Sequence, residues 1–284
     1  MAIFSNQATL TYSGGTTSSN IVTGEILDVL SVTKTAVGDT YRAGDTISYV
    51  VSLINSGATP LTGITLTDNL GAYPFGTGTV TPLDYVDGSL LYYTNGVLQG
   101  TPTVTAGPPL TVSGITVPAG GNATVVYSVT LNAFAPVGAG GSVTNTVTAT
   151  GAGTLEPATA EETVTVVDEA VLSITKALSP TTVPENGVIT YTFEIFNSGN
   201  AEAVATDNVT VTDTFDPILS GLTVTLDGVT LTEGTDYTYD EATGVFTTVP
   251  SRITVPAATV TQDPVTGAFT TVPGNVTLTV TGTV

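Results

Sequence analysis

Two stretches decide the fold. Residues 30–70 read LSVTKTAVGDTYRAGDTISYVVSLINSGATPLTGITLTDNL, and residues 172–215 read LSITKALSPTTVPENGVITYTFEIFNSGNAEAVATDNVTVTDTF. They are two versions of one unit. A later pair, TVPAGGNATVVYSVTL (116–131) and TVPGNVTLTVTGTV (271–284), extends the match. Within each copy apolar and polar residues alternate between turns rich in Gly, Pro and Asn, and no helical period appears. Repetition at this scale makes the repeat, not the chain, the folding unit.

The fold class is therefore all-β, with two tandem immunoglobulin-like β-sandwiches. The first is expected over 26–168 and the second over 169–284. The copies differ at one end. In the first, TVVYSVTL is followed by a turn and the strand SVTNTVTAT (142–150); in the second, the matching VTLTVTGTV is the last stretch of the sequence. The second sandwich is therefore expected to lack its last strand. The stretch FSNQATLTY (4–12) stands ahead of the first sandwich and aligns with VTNTVTATG (143–151). The spacing from Asn145 to Lys176 also nearly equals that from Asn6 to Lys34. Residues 1–25 therefore read as a donor strand and linker, with Phe4, Asn6, Ala8, Leu10 and Tyr12 on one face. An incomplete sandwich leaves an apolar groove beside unpaired strand edges. A strand from another copy would fill it, and a head-to-tail interface that does not close makes a filament. The alternative topology is a closed monomer in which the N-terminal strand folds back into its own second sandwich.

Composition narrows the chemistry. The 284 residues contain no Cys and no His, and 24 acids against 4 bases give a formal charge of −20. Disulfides, thiolate metal sites and histidine catalysis are excluded, and a nucleic-acid partner is not expected of so acidic a chain. No apolar run approaches the roughly 20 residues of a membrane span. No signal peptide is visible, so export by another route, or removal of a leader, is expected.

The two lysines of the chain, Lys34 and Lys176, occupy the same repeat position. Strand parity places Lys34 with Leu30, Val32 and Ala36, and Lys176 with Leu172, Ile174 and Leu178, so both face the core. The same test finds Asp68 with Ile64, Leu66 and Leu70, and Asp213 with Val209, Val211 and Phe215. It finds Asn145 with Val143, Val147 and Ala149, while Glu194 and Asn275 fall out of phase. Burial lowers a lysine pKa and raises an aspartate pKa, giving a neutral amine and a carboxylic acid beside a carboxamide. The expected product is a Lys–Asn isopeptide, formed once and without turnover: Lys34–Asn145 within the first sandwich, assisted by Asp68, and Lys176–Asn6 between copies, assisted by Asp213. A buried Lys–Asp ion pair capped by Asn would use the same residues.

These motifs (SVTK and SITK, YVVSLINSG and YTFEIFNSG, LTDNL and VTDTF, then TNTVTAT) resemble the "conserved repeat" domain of prokaryotic surface proteins, a domain of unknown function. The resemblance covers nearly the whole chain and implies a stalk or fibre module, similar in chemistry to pilin domains with Lys–Asn isopeptides. The chain also resembles appendage proteins placed on endospores, which implies an extracellular position on a cell or spore surface. The missing closing strand of the second copy departs from the pattern. The expected partner is the protein itself, with no membrane span, cofactor or metal and an unassigned surface ligand. Three other functions compete. A surface stalk or adhesin would use the same sandwiches without intermolecular links. A calcium-binding adhesin is suggested by the acidic loops LDYVDGS and TDYTYDEATG, which lack EF-hand spacing. A glycosidase would need a carboxylate pair drawn from Asp236, Asp240 and Glu241, which lie in a turn-rich hairpin.

Overall fold

The computed structural model describes every residue except Met1, Ala152, Gly153 and Leu155, and the side chain of Ala2. It is all-β apart from one short 3₁₀ turn at Ala205–Asp207. Two compact units divide it: Met1–Pro136 with Ser142–Thr165, and Val137–Gly141 with Val166–Val284. The loop Val137–Gly141, expected within the first sandwich, belongs to the second unit, where the Val166 N–H donates to the Gly141 carbonyl.

In the first unit, one sheet runs in the order Val97–Leu98, Leu91–Thr94, Asn122–Leu131, Thr46–Asn55, Leu30–Ala36. The other runs Thr103–Thr105, Leu110–Val117, Leu61–Asp68, Ser142–Thr150, Ala158–Val166, Thr40–Tyr41. Alternation decides which faces meet. Tyr49, Val51 and Leu53 of one sheet and Ile64, Leu66, Val147 and Ala149 of the other are buried, while the Thr and Ser residues between them face outward. Val and Thr have similar shapes and both favour the strand, so the pattern of methyl against hydroxyl sorts inside from outside.

The second unit repeats the first sheet: Leu172–Ser179, Val188–Asn197, Gly274–Thr283, Ser220–Leu226, Val229–Thr230. Its core gathers Phe193, Phe215, Phe246 and Leu278. The opposing layer is short, in the order Thr212–Thr214, Val245–Thr248, Tyr237–Asp240. In the first unit Leu61–Asp68 pairs on both sides, with Leu110–Val117 and with Ser142–Thr150. Its counterpart Thr212–Thr214 pairs only with Val245–Thr248 among the described residues. The sheet edge beyond it is open.

The N-terminal segment is not one strand followed by a linker. Ala2–Asn6 pairs with Val22–Ile26, and Thr9–Tyr12 pairs with Gly15–Ser18, giving one interrupted antiparallel hairpin. Residues 13–25, expected as linker, turn the chain and return it. The reason is physical: a strand with no sheet beside it satisfies its N–H and C=O groups against its own continuation. At the interruption, the Ala8 N–H donates to Ser19 Oγ and the Ser19 N–H donates to the Ala8 carbonyl, which carries the ladder past the break. Gly24 lets the Phe4 ring lie flat on the return strand, because a Cβ there would come within 2.5 Å of it.

Each sandwich is pinned by an Asn of the NSG turn. Asn197 is fully buried; its Nδ2 donates to the carbonyls of Ala201 and Val255, and its Oδ1 accepts from Gly199 N–H and Val171 N–H. Asn55 does the same with Thr59, Val117 and Gly57. Gly199 has to be glycine, since a Cβ would meet the Glu169 carbonyl oxygen at 2.1 Å. Asn197→Ala, which strands these backbone groups, is expected to destabilise the second unit by about 2–4 kcal/mol. A lowered urea midpoint, with the first unit unchanged, would register it.

Candidate functional site: a lysine–aspartate pair, closed in one sandwich and open in the other

In the first sandwich the lysine strand Leu30–Ala36 lies at the end of one sheet, and the aspartate ends Leu61–Asp68 in the other. Parity turns both side chains between the sheets. Lys34 Nζ donates to Asp68 Oδ2 at 2.5 Å, and the Tyr127 hydroxyl donates to the same oxygen. Asp68 Oδ1 accepts from the Leu70 N–H at 2.9 Å, so both carboxylate oxygens are engaged. The amine also lies 4.6 Å from the Tyr49 ring centroid and 5.9 Å from that of Tyr127, where the ring faces favour a cation.

Asn145 comes in from the strand beside Asp68, two residues from Val147, which stands opposite the aspartate. It is fully buried. Its Oδ1 accepts the Gly71 N–H at 3.2 Å, which orients the amide. Its Nδ2 makes no hydrogen bond, and neither does the buried Tyr49 hydroxyl. The amide is near enough to act on the hydroxyls of Tyr49 and Tyr127, but it lies outside hydrogen-bond geometry with them. A buried amide N–H₂ without an acceptor is a cost that native interiors rarely carry. It is also the group that would leave if this carbonyl were attacked.

Burial, partly offset by the charge of Asp68, brings the Lys34 pKa down from its ordinary 10.5 to about 8. Burial and the Asp68 charge push both Tyr49 and Tyr127 upward, so these hydroxyls stay protonated donors. Glu162 stands opposite Asn145 on the neighbouring strand, and its charge also acts on Lys34 and Tyr49.

The second sandwich holds the same pair in a different setting. Lys176 Nζ donates to Asp213 Oδ2, and the Thr214 N–H donates to Asp213 Oδ1 at 2.9 Å. Tyr191 occupies the place of Tyr49, its ring centroid 4.4 Å from the amine. Tyr127 has no equivalent: Val280 stands opposite Tyr191, as Tyr127 stands opposite Tyr49. Phe215 stacks on Tyr191 instead, with centroids 5.0 Å apart. The decisive difference is water. The Lys34 and Asp68 side chains are 0% and 3% exposed; those of Lys176 and Asp213 are 41% and 19% exposed. Leu172, Ile174 and Leu178, on the lysine's face, are exposed as well. A groove of about 190 Å³ lies there, lined by Leu172, Ile174, Ile195, Val209 and Val211.

Asn6, the remaining residue of the expected set, lies in the N-terminal hairpin opposite Val22 and is exposed. Phe4, Ala8, Leu10 and Tyr12 are exposed too. Parity in the sequence does not single out Tyr127 or Glu162. Tyr127 is hidden because the second repeat has Val at that place, and Glu162 because its strand is mostly polar. Asp236 pairs with Arg252 at 3.3 Å, and Asp240 caps the turn by accepting from Ala242 N–H and the Thr243 hydroxyl, bonds that hold its carboxyl below the usual range. Among the described residues no group of three or more acidic, His or Cys side chains is placed to hold a metal ion, and no helix is long and apolar enough to cross a membrane.

No family model and no curated protein sequence matches this chain. Among solved structures it is similar to a variant of BcpA, the major pilin subunit of Bacillus cereus, at 13% identity and a TM-score of 0.39, over 95% of this chain and 73% of that one. It is similar to the pilus backbone RrgB of Streptococcus pneumoniae at 12% identity and a TM-score of 0.35, over 86% of this chain and 55% of that one. It is also similar to a family 123 glycoside hydrolase of Clostridium perfringens at 10% identity and a TM-score of 0.30, over 49% of this chain and only 27% of that one. Likenesses this distant say nothing about the site, which rests on the residues above.

Asn145→Ala would leave Lys34 a free buried amine. Its folded pKa of about 8 lies below the unfolded 10.5, so between these values the unfolded chain binds more protons. Stability of the first sandwich in this variant should therefore rise from pH 8 to 10.5, by on the order of 3 kcal/mol, and stay flat with respect to this group below pH 8. Pulse proteolysis in urea, read on peptides of the first sandwich, would follow the rise.

Proposed function

We propose that this protein is the structural subunit of an extracellular filament on a cell or spore surface. It polymerises head to tail as the N-terminal strand of one copy enters the second sandwich of another, and Lys–Asn isopeptides lock both sandwiches. One observation carries the reading. The same Lys–Asp pair is sealed beside a buried Asn in the first unit. In the second it lies open beside a groove, on the edge where the first unit has its Asn strand. The stretch that aligns with that Asn strand, Phe4–Tyr12, is exposed.

The chemistry proposed for the first sandwich balances without any external reagent. Lys34 passes a proton to Asp68, and the neutral Nζ attacks Asn145 Cγ. A C–N bond forms to Nζ and the bond to Nδ2 breaks; Asp68 gives its proton to the departing nitrogen, which leaves as ammonia, and takes up the second proton that Nζ loses, ending as the neutral acid. The Gly71 N–H, already on Asn145 Oδ1, supports the oxygen as charge builds on it. Tyr127 holds Asp68 between the partners. The product amide is neutral, which removes a buried charge. This is autocatalysis of a single event, not turnover.

In the second sandwich the pair stays hydrated until the donor arrives. Insertion would bring Asn6 to the place that Asn145 holds and Ala8 opposite Asp213, as Val147 stands opposite Asp68. Leu10 would then lie opposite Val211, beside the groove. The same step expels water from Lys176, so the cross-link follows assembly instead of preceding it.

Boiling the assembled protein in detergent should give a ladder of multimers on denaturing electrophoresis. Lys176→Ala or Asn6→Ala should reduce the ladder to monomer, whereas Lys34→Ala should leave it and remove only the internal bond. A wild-type sample that runs only as monomer, at its full unmodified mass, would mean that both lysines are plain ion pairs.

A further inference from the structure

The N-terminal hairpin is amphipathic across both of its strands. Cross-strand partners share a face, so Val22 lies with Asn6, its register partner, and Ile26, the partner of Ala2 four pairs further along, lies on the same face as Phe4. Leu10 and Tyr12 continue that face on the outgoing strand. Phe4, Leu10, Tyr12, Val22 and Ile26 are all more than 40% exposed. The opposite face carries mainly Ser5, Thr9, Thr11, Thr16 and Thr23. If a single strand were the donor, Phe4–Tyr12 alone would need this pattern. Val22 and Ile26 would then be apolar for nothing.

The first sandwich shows what such a return strand does. Its Asn strand Ser142–Thr150 is also the outgoing arm of a hairpin, and Ala158–Val166 returns along it, with Asn145 opposite Glu162. On that return strand Val164, the register partner of Val143, and Val166 are both buried. From there the chain passes through Val167–Val171 into the lysine strand of the next repeat, as the N-terminal hairpin passes through Leu27–Val29 into Leu30–Ala36. Hairpin followed by lysine strand is thus a unit that occurs twice. In the second sandwich neither strand of the hairpin has a counterpart on the open edge among the described residues.

Resting on the assembly proposed above, we infer that the donor is the whole preformed hairpin of a second copy, docked as one piece, and not a strand peeled from it. The outgoing strand pairs with Thr212–Thr214 and presents Asn6 to Lys176. The return strand forms the new sheet edge: in this register Val22 takes the place of Glu162, opposite the Asn, and Ile26 that of Val166, so both add apolar side chains to the face that meets the core. No backbone pairing has to be broken before docking, so the hairpin pays no unfolding cost.

The chain contains no Cys, which permits a direct test. Ser5 and Thr23 are register partners on the polar face, so Ser5→Cys with Thr23→Cys can staple the hairpin without touching its apolar side. Oxidised and reduced forms should polymerise at rates within about twofold of each other, and both should give the cross-linked ladder. Assembly of the reduced form only would mean that the strand separates to insert, which overturns the hairpin while leaving strand donation intact. If neither form of this variant assembles, the second staple, Thr11→Cys with Thr16→Cys, decides between the same two results. As a complement, Val22→Thr with Ile26→Thr should slow polymerisation at least tenfold; wild-type growth would show that the outgoing strand suffices. Absence of any multimer from the unmodified protein would instead remove strand donation itself.

Discussion

The interaction on which the rest depends is a lysine amine held against an aspartate between two apolar sheets. Burying an ammonium group is costly, and the carboxylate of Asp68 offsets only part of that cost, so the amine's affinity for its proton falls. A structure that merely needed stability could have placed Leu at position 34. Under the proposed chemistry a buried Lys–Asp pair beside an amide with an idle N–H₂ is a set of reactants, held together by the packing of the core. The cost of the charge would favour the proposed reaction, because the amide product carries none.

Solvent separates the two sandwiches. Their lysines and aspartates touch in the same way, yet one pair is sealed and the other half-exposed. The difference traces to two strands. Where Ser142–Thr150 and Ala158–Val166 cover the first core, the second core shows Leu172 and Ile174 to the outside. Such an edge is a hazard in any protein, since it templates pairing with whatever strand arrives. Under the proposed assembly, a matching hairpin on the same chain turns the hazard into an address.

Much of this was legible in the sequence. The duplicated 30–70 and 172–215 stretches reveal two β-units, and the period of two places Lys34, Asp68 and Asn145 inside, because one residue of slippage would expose every valine around them. What parity could not deliver was the company these residues keep. Tyr127 sits on a strand whose twin carries Val280, so comparison of the repeats passes over it. Residues 13–25 are rich in Gly, Ser and Thr, a composition equally suited to a flexible linker and to an exposed return strand. Only the pairing of Asn6 with Val22 and of Tyr12 with Gly15 decides between them. The loop Val137–Gly141 is Gly-rich and carries no periodicity; it groups with the second unit, where the Val166 N–H donates to the Gly141 carbonyl.

The most direct test of the central claim is peptide mapping by mass spectrometry on assembled protein dissolved in denaturant. The account predicts one branched peptide in which the segment containing Lys176 is joined to the segment containing Asn6, lighter than their sum by one ammonia. A second should join Lys34 to Asn145 with the same loss. Recovery of all four segments as linear peptides at full mass would contradict it and leave two buried or half-buried ion pairs in their place.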